Sequence, residues 1–196
     1  YSLALLPDSK MRQRVTDSRV GIASVSKLTF DNNIAKSKQT FIAQRWNLVP
    51  QNLKAYEQGK LSKPVKPICF YIDDAFPVEW KNAIKQGVEL WNKAFEQAGY
   101  QKAIEALDFP KNDHNFDADD IAYSCIRYVP STAEKVTSSF LANPQTGEII
   151  NASVFVPANV GDQIYRWLFL GSAASDATMR TSHLPQDKFN QGLKYM

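Results

Sequence analysis

Histidine is the side chain that most often binds catalytic zinc, and the chain contains two of them, His114 and His183. A hydrolytic zinc site on a helix needs two histidines one turn apart, with a glutamate beside the first to activate water. His114 and His183 are far apart, and both lie in segments that predict loops. Both are therefore predicted to be surface loop residues, and the sequence assigns no metal ligand and no catalytic residue to this chain.

An acidic segment, residues 113–120, resembles the beginning of a calcium-binding loop. Asp113, Asn115 and Asp117 have the spacing of the first three ligands of an EF-hand. The sixth position is Ala118 where that loop needs glycine, and the twelfth is Ser124 where it needs glutamate. The pattern favours a solvated loop whose aspartates cap nearby backbone groups, with a weak, partly hydrated calcium site as the alternative.

Other kinds of chemistry have little support in the sequence. The sequence contains neither a Gly-x-Ser-x-Gly elbow nor a glycine-rich phosphate loop. Asp73 and Asp74 are the best candidates for a pair of catalytic carboxylates, but their position after a predicted strand favours capping of a strand-to-helix turn. Cys69 and Cys125 lie in predicted strands, which favours two buried thiols; a disulfide requires the two strands to be neighbours.

Composition restricts the classes of partner. The net charge of the 196 residues is +3 and no basic run occurs, so nucleic-acid binding is not expected. No apolar stretch approaches the roughly 20 residues that cross a bilayer, so no membrane-spanning segment is expected.

The elements that position these residues fall into two parts. Residues 1–65 predict an N-terminal arm followed by two antiparallel strands, at residues 20–30 and 41–49, and a short helix at residues 52–58. Residues 66–196 predict the main domain.

The main domain opens with a strand-to-helix unit. Ile68 to Ile72 is a short apolar strand of the kind found at the centre of a sheet. Residues 77–98 then predict one long helix, with Pro77 at its first position and Gly99 as its terminator. Its predicted buried face contains two tryptophans and several aliphatic or aromatic residues at helical spacing: Trp80, Ile84, Val88, Trp91 and Phe95.

The second half of the main domain predicts more strands and two helices. Strands are expected at residues 103–109 and 121–129, and a hairpin at residues 136–141 and 148–156. A helix follows at residues 161–171, then a polar loop at residues 172–182. Phe189, Leu193 and Met196 have the spacing of a last amphipathic helix. The elements together predict an α+β fold.

A series of short motifs resembles one family. The resemblance begins with Leu3 to Pro7, Met11, Arg14, Asp17 and Arg19 to Gly21, and continues with Arg45-Trp46, Lys66 to Ile68, Phe70 to Ile72 and the helix from Trp91 to Gly99. It ends with Tyr123, Ile126-Arg127, Pro144, Thr146 to Ile149 and Tyr195. In this order, the motifs resemble the N-terminal half of the catalytic domain of large, uncharacterised bacterial zinc-dependent metalloproteases, which are metzincin-like members of the zincin superfamily.

The resemblance implies a zincin-like subdomain: a twisted mixed β-sheet, a long backing helix, and an antiparallel edge hairpin that aligns substrate. The substrate-aligning edge would be Glu148 to Val156, with Ala152, Ser153, Val154 and Phe155 as the substrate-binding residues. The family's His-Glu-x-x-His helix is expected beyond Met196, so zinc belongs to the full-length parent and this chain is expected to be inactive.

The resemblance also implies the partners of the chain and its cellular location. The partners would be a peptide or protein substrate and the remainder of the catalytic domain, and the location would be secreted, periplasmic or in the cell envelope.

Because the last predicted helix is cut short at Met196, apolar surface is expected to be uncovered, which favours self-association. The alternative function is a non-catalytic α+β module that binds an extended peptide by strand addition. A glycan-binding domain that uses exposed Trp and Tyr is a further alternative.

Overall fold

The computed structural model describes residues 5–6, 11–31, 36–171, 173–177 and 185–195. It is a mixed α+β fold with two sheets and several helices. Among the earlier predictions, His183, Met196, the motif residues Leu3, Ala4 and Pro7, the turn residues Asn32 and Asn33, and most of the loop at residues 172–182 lie outside the described residues.

The first sheet has three strands: β1 (Val15–Thr16), β2 (Ser24–Asp31) and β3 (Lys36–Ala43). Their order is β1-β3-β2, and both pairs are antiparallel, as predicted for the two longer strands. The predicted boundaries were wrong. A short 3-10 turn, Ser18–Val20, precedes β2, and Asp17 caps it. The second strand ends at Ala43, and residues 44–50 form a connecting segment.

The predicted short helix is confirmed as α1 (Leu53–Glu57). Its N-cap is Asn52, whose side chain accepts a hydrogen bond from the N–H of Ala55 at 3.0 Å. Gly59 follows with a φ of 74°, a left-handed conformation that glycine adopts without steric cost.

The second sheet has five strands: β4 (Ile68–Ile72), β5 (Ile104–Asp108), β6 (Ser124–Val129), β7 (Thr137–Ala142) and β8 (Ile149–Pro157). Their order is β5-β4-β6-β8-β7. Strands β5, β4, β6 and β8 are parallel, and only β7 is antiparallel to its neighbour. The predicted central position of β4 is confirmed, because it pairs on one side with β5 and on the other with β6.

The long predicted helix is divided into α2 (Val78–Leu90) and α3 (Asn92–Gln97), with a break at Trp91. Beyond the break, the Asn92 side chain donates to the carbonyl of Ile104 at 2.9 Å and accepts from the N–H of Ala103 at 2.8 Å. These bonds attach the beginning of α3 to the beginning of β5.

The main core lies between α2, α4 (Val160–Phe169) and the second sheet. It contains Ile72, Phe76, Ile84, Ile126, Val156 and Val160. Trp80 packs against this core, but Trp91 is 64% exposed, so the prediction that both tryptophans are buried was wrong for Trp91. Trp91 lies at the break between α2 and α3, where its ring is left largely uncovered.

The last helix is α5 (Gln186–Leu193), which confirms a helix at the predicted place. It packs on α4, where the hydroxyl of Tyr165 donates to the carbonyl of Phe189 at 3.1 Å. Tyr165 also stacks on the Phe189 ring, with centroids 5.9 Å apart. In the part of the chain that the structure describes, no helix has the length and apolar character that spanning a membrane requires.

Candidate functional site

The strand predicted to form the edge of the sheet is an inner strand. β8 pairs with β6 through Ser153 opposite Cys125, and with β7 through Ser153 opposite Ser139. The prediction that residues 148–156 form the edge was therefore wrong: the sequence pattern identifies the hairpin but not which of its two strands joins the parallel sheet. Ala152, Ser153, Val154 and Phe155 lie together on β8, and neighbouring strands pair with this segment on both sides.

The edge strand is β7. Thr137 to Leu141 are exposed, and among the described residues β7 pairs only with β8. Its outer N–H and C=O groups are therefore available to an extended chain. By the register, Ser138 and Phe140 stand opposite Val154 and Ala152 on the side of the sheet that faces α2. Sequence reasoning named the wrong strand of the hairpin, and the exposed polar run Thr137 to Ser139 was the signal in favour of β7.

The strand-to-helix turn at Asp73 caps backbone groups, as the favoured interpretation predicted. Asp73 accepts from the N–H of Ala75 at 3.0 Å and from the N–H of Tyr128 at 3.2 Å. The Nε of Arg127 lies 3.5 Å from the same carboxylate. Asp74 instead forms an ion pair with Lys81 of α2. The two carboxylates therefore stabilise the turn in different ways and do not form a catalytic pair.

The acidic loop also follows its favoured interpretation. The carboxylates of Asp113, Asp117 and Asp120 each accept a backbone N–H two residues further on, at 2.9 Å. Asp119 instead forms an ion pair with Arg127 at 2.7 Å. These carboxylates are thus used in local turns and in one ion pair.

The same loop has an aromatic anchor that sequence reasoning missed. Phe116 lies 5.2 Å from Tyr71, 4.9 Å from Phe109 and 4.7 Å from Tyr123, measured between ring centroids. The cluster holds the acidic loop against β4. Phe116, an isolated aromatic among aspartates, was the available signal.

The acidic, histidine and cysteine side chains of the described residues are spread over the fold. Within the described ranges, no three His, Cys, Asp or Glu side chains come together as a metal-binding group. His114 is exposed in its loop, as predicted. The donor groups described here therefore do not fit a zinc ion, and no step of a zinc reaction is assigned to this chain.

The two cysteines are free thiols, and the prediction that both are buried is right for Cys125 but not for Cys69. Cys125 is fully buried, and burial raises the pKa of its thiol to about 11. Cys69 is half-buried, and burial also raises its pKa. Neither thiol is therefore activated as a nucleophile.

Comparison with known proteins gives one match. Residues 1–51 match the family described as "Domain of unknown function (DUF5117)". This segment covers the first sheet and the connecting segment, and ends before β4. No curated protein and no solved structure matches the chain.

Proposed function

We propose that this chain is the scaffold and substrate-aligning part of a zinc-dependent metallopeptidase domain of zincin-like fold. The longer parent protein would hydrolyse the peptide bond, with zinc ligands that follow Met196, and this chain alone would be inactive. The proposal places the parent protein outside the cytoplasm, in the cell envelope or secreted, on the family resemblance alone.

One observation supports the proposal most. The second sheet is mixed, it is backed by α2, and its single antiparallel strand, β7, is at an edge. The family resemblance implies a mixed sheet with a backing helix and an antiparallel edge, but it placed that edge on residues 148–156, one strand further in. A peptide that pairs with β7 would lie in an extended conformation, which is the conformation that a peptidase must impose on its substrate before cleavage.

The decisive experiment is to read the coding sequence beyond Met196. The proposal expects a His-Glu-x-x-His motif within a few residues, and zinc-dependent peptide hydrolysis by the longer protein but not by this chain. A stop codon directly after Met196, or a continuation without that motif, would overturn it.

The role of β7 is testable in the present chain. Successive backbone N–H groups point to opposite sides of a strand, so Ser138→Pro and Ser139→Pro remove donors from opposite sides of β7. One variant is expected to break the hairpin with β8 and melt early. The other is expected to stay folded but no longer bind unstructured casein peptides. Binding is measured as the slowing of amide exchange in β7 when the peptides are added. Unchanged binding in the folded variant would contradict the role of β7.

The alternative function is a complete α+β module that captures an extended peptide by strand addition, without catalysis. The free edge of β7 supports this function equally. A stop codon after Met196 together with peptide binding at β7 would favour it over the peptidase.

A further inference from the structure

A cavity of about 270 Å³ lies where the connecting segment after β3 meets the second sheet. Its walls come from four parts of the chain: the connecting segment, the beginning of β4, the loop before β6 and the beginning of β8. The cavity is therefore at the amino ends of the parallel strands, whereas the main core contains residues from their carboxyl ends, such as Ile72 and Val156. Six of its lining residues are important here: Trp46, Asn47, Lys66, Tyr71, Tyr123 and Glu148.

The aromatic residues supply flat apolar walls with polar tips. Trp46 packs edge-on against Phe70, and Tyr71 packs edge-on against Tyr123, with centroids 6.2 and 5.5 Å apart. Within the described residues, the indole N–H of Trp46 and the hydroxyls of Tyr71 and Tyr123 form no hydrogen bond. Burial raises the pKa of the Tyr71 phenol, so this hydroxyl stays protonated and able to donate at neutral pH.

Asn47 and Glu148 supply a fixed polar pair. The Nδ2 of Asn47 donates to the Oε1 of Glu148 at 3.1 Å. The second carboxylate oxygen, Oε2, is enclosed and has no hydrogen-bond partner among the described residues. The side-chain carbonyl oxygen of Asn47 stays an acceptor for a ligand, whereas Oε2 of Glu148 is too enclosed for a ligand in the cavity to reach.

The cavity is lined by one side chain of each charge. Lys66 contributes a cation, and Glu148 contributes an anion. In the described part of the chain, these two side chains form no ion pair with each other. Because the two charges are opposite, the lining as a whole favours neither a cationic nor an anionic ligand, and a neutral ligand with several donors and acceptors fits it.

We infer that this cavity is a binding site for a neutral carbohydrate of one or two rings. A sugar ring presents C–H groups on its face and hydroxyls at its rim. The C–H groups match an aromatic wall, and the hydroxyls match the donors and acceptors of Asn47 and the two phenols. The volume is just below the roughly 300–1,000 Å³ of pockets for drug-sized ligands, which agrees with one or two rings. This inference does not rest on the proposed peptidase function, because the site uses none of β7.

The test is titration with N,N′-diacetylchitobiose, cellobiose and maltose, followed by saturation-transfer NMR and calorimetry. We expect at least one of them to bind with a Kd of about 1 mM. Asn47→Ala is expected to weaken binding by about fivefold, and Tyr71→Phe by a smaller factor, because each removes hydrogen-bonding groups. The matched control is Trp167→Ala, which removes a tryptophan that is 76% exposed and does not line the cavity, and is expected to leave binding unchanged.

Three outcomes would overturn the inference. The first is that none of the three sugars binds at about 10 mM, which would make the cavity a site for ordered water. The second is that a sugar binds equally well to Asn47→Ala and Tyr71→Phe variants whose melting curves show that they are folded. The third is that free amino acids bind at the cavity and sugars do not. This would mean that Lys66 and Glu148 bind the two opposite charges of a zwitterion.

Discussion

The pKa of Asp108 is low because two lysines surround its carboxylate. Lys81 and Lys85 each approach one of its oxygens at 2.6 Å, and they lower its pKa from 3.8 to about 2. The charged carboxylate therefore stabilises the fold above the unfolded pKa, and this stabilisation is lost as the pH falls from 3.8 towards 2. Both lysines lie on α2, so the three side chains join the helix to the end of β5.

We predict that Asp108→Asn lowers the free energy of unfolding by up to about 1 kcal/mol near neutral pH, since the carboxylate is half exposed. The difference from the unchanged protein should shrink below about pH 4 and vanish near pH 2. Urea unfolding at several pH values measures this. Glu96→Gln, an exposed change on α3, is the control and should show no such trend. A loss that is equal at all pH values would contradict the ion-pair explanation.

The two thiols differ in access, and this predicts their reactivity. Cys125 is fully buried with a pKa raised to about 11, whereas Cys69 is only half-buried. Iodoacetamide at neutral pH should modify Cys69 slowly and Cys125 only after unfolding, because the thiolate is the reactive form and must be reached. Mass spectrometry of digests with and without urea measures both rates. Faster modification of Cys125 than of Cys69 in the folded protein would show that the sheet opens at β6.

At the scale of elements, backbone hydrogen bonds around Gly147 attach the segment after the first sheet to the second sheet. The N–H of Arg45 donates to the carbonyl of Gly147 at 2.9 Å, and the N–H of Ile149 donates to the carbonyl of Arg45 at 3.0 Å. Gly147 has a φ of 75°, and a Cβ built on it would lie 2.2 Å from the carbonyl oxygen of Ala43. The close approach of backbone to backbone therefore leaves no room for a side chain.

Two glycine substitutions separate the steric contact from the backbone conformation. Gly59 has nearly the same φ, 74°, but a Cβ there meets nothing within 4 Å. Gly59→Ala should lower the free energy of unfolding by about 1–2 kcal/mol, from the left-handed conformation alone. Gly147→Ala should cost at least about 2 kcal/mol more, because Ala43 must also move. Thermal and urea melts measure both variants. Equal losses in the free energy of unfolding would show that Ala43 moves aside at little cost.

Individual strands and helices could be predicted from the sequence where a short stretch of residues carries the pattern of a buried face. The apolar run at β4 and the helical spacing of Ile84 and Val88 gave the right elements, because these patterns reflect a buried face. The break at Trp91 was not predictable, because it accompanies hydrogen bonds between Asn92 and β5. The order of the strands needed more than local pattern: the polar run Thr137 to Ser139 favours an exposed strand, but only the long-range pairing of β8 with β6 makes β7 the edge.

At the scale of the whole molecule, an apolar cavity of about 340 Å³ lies between α2, β8 and α4. Trp91, Val136 and Tyr195 line it and are 64%, 48% and 56% exposed. We therefore predict that this chain self-associates as its concentration rises, since joining two such surfaces removes apolar area from water. Sedimentation velocity over a concentration series measures this.

A paired substitution tests the source of the association. Trp91→Gln should weaken it, whereas Val65→Thr, a change at an equally exposed residue (67%) away from the cavity, should not. A single monomeric species at every concentration would contradict the prediction.

The attachment of the first sheet to the second also has a consequence for the order of folding. Asn47 and Glu148, which meet at this junction, are 101 positions apart in the chain. The β7–β8 hairpin is a short-range contact and forms at little loop-closure cost, whereas this junction closes a very long loop. We expect the amides of Arg45 and Ile149 to gain protection later than those of the hairpin in pulse-labelled hydrogen exchange. Simultaneous protection would instead mean that the junction belongs to the folding nucleus.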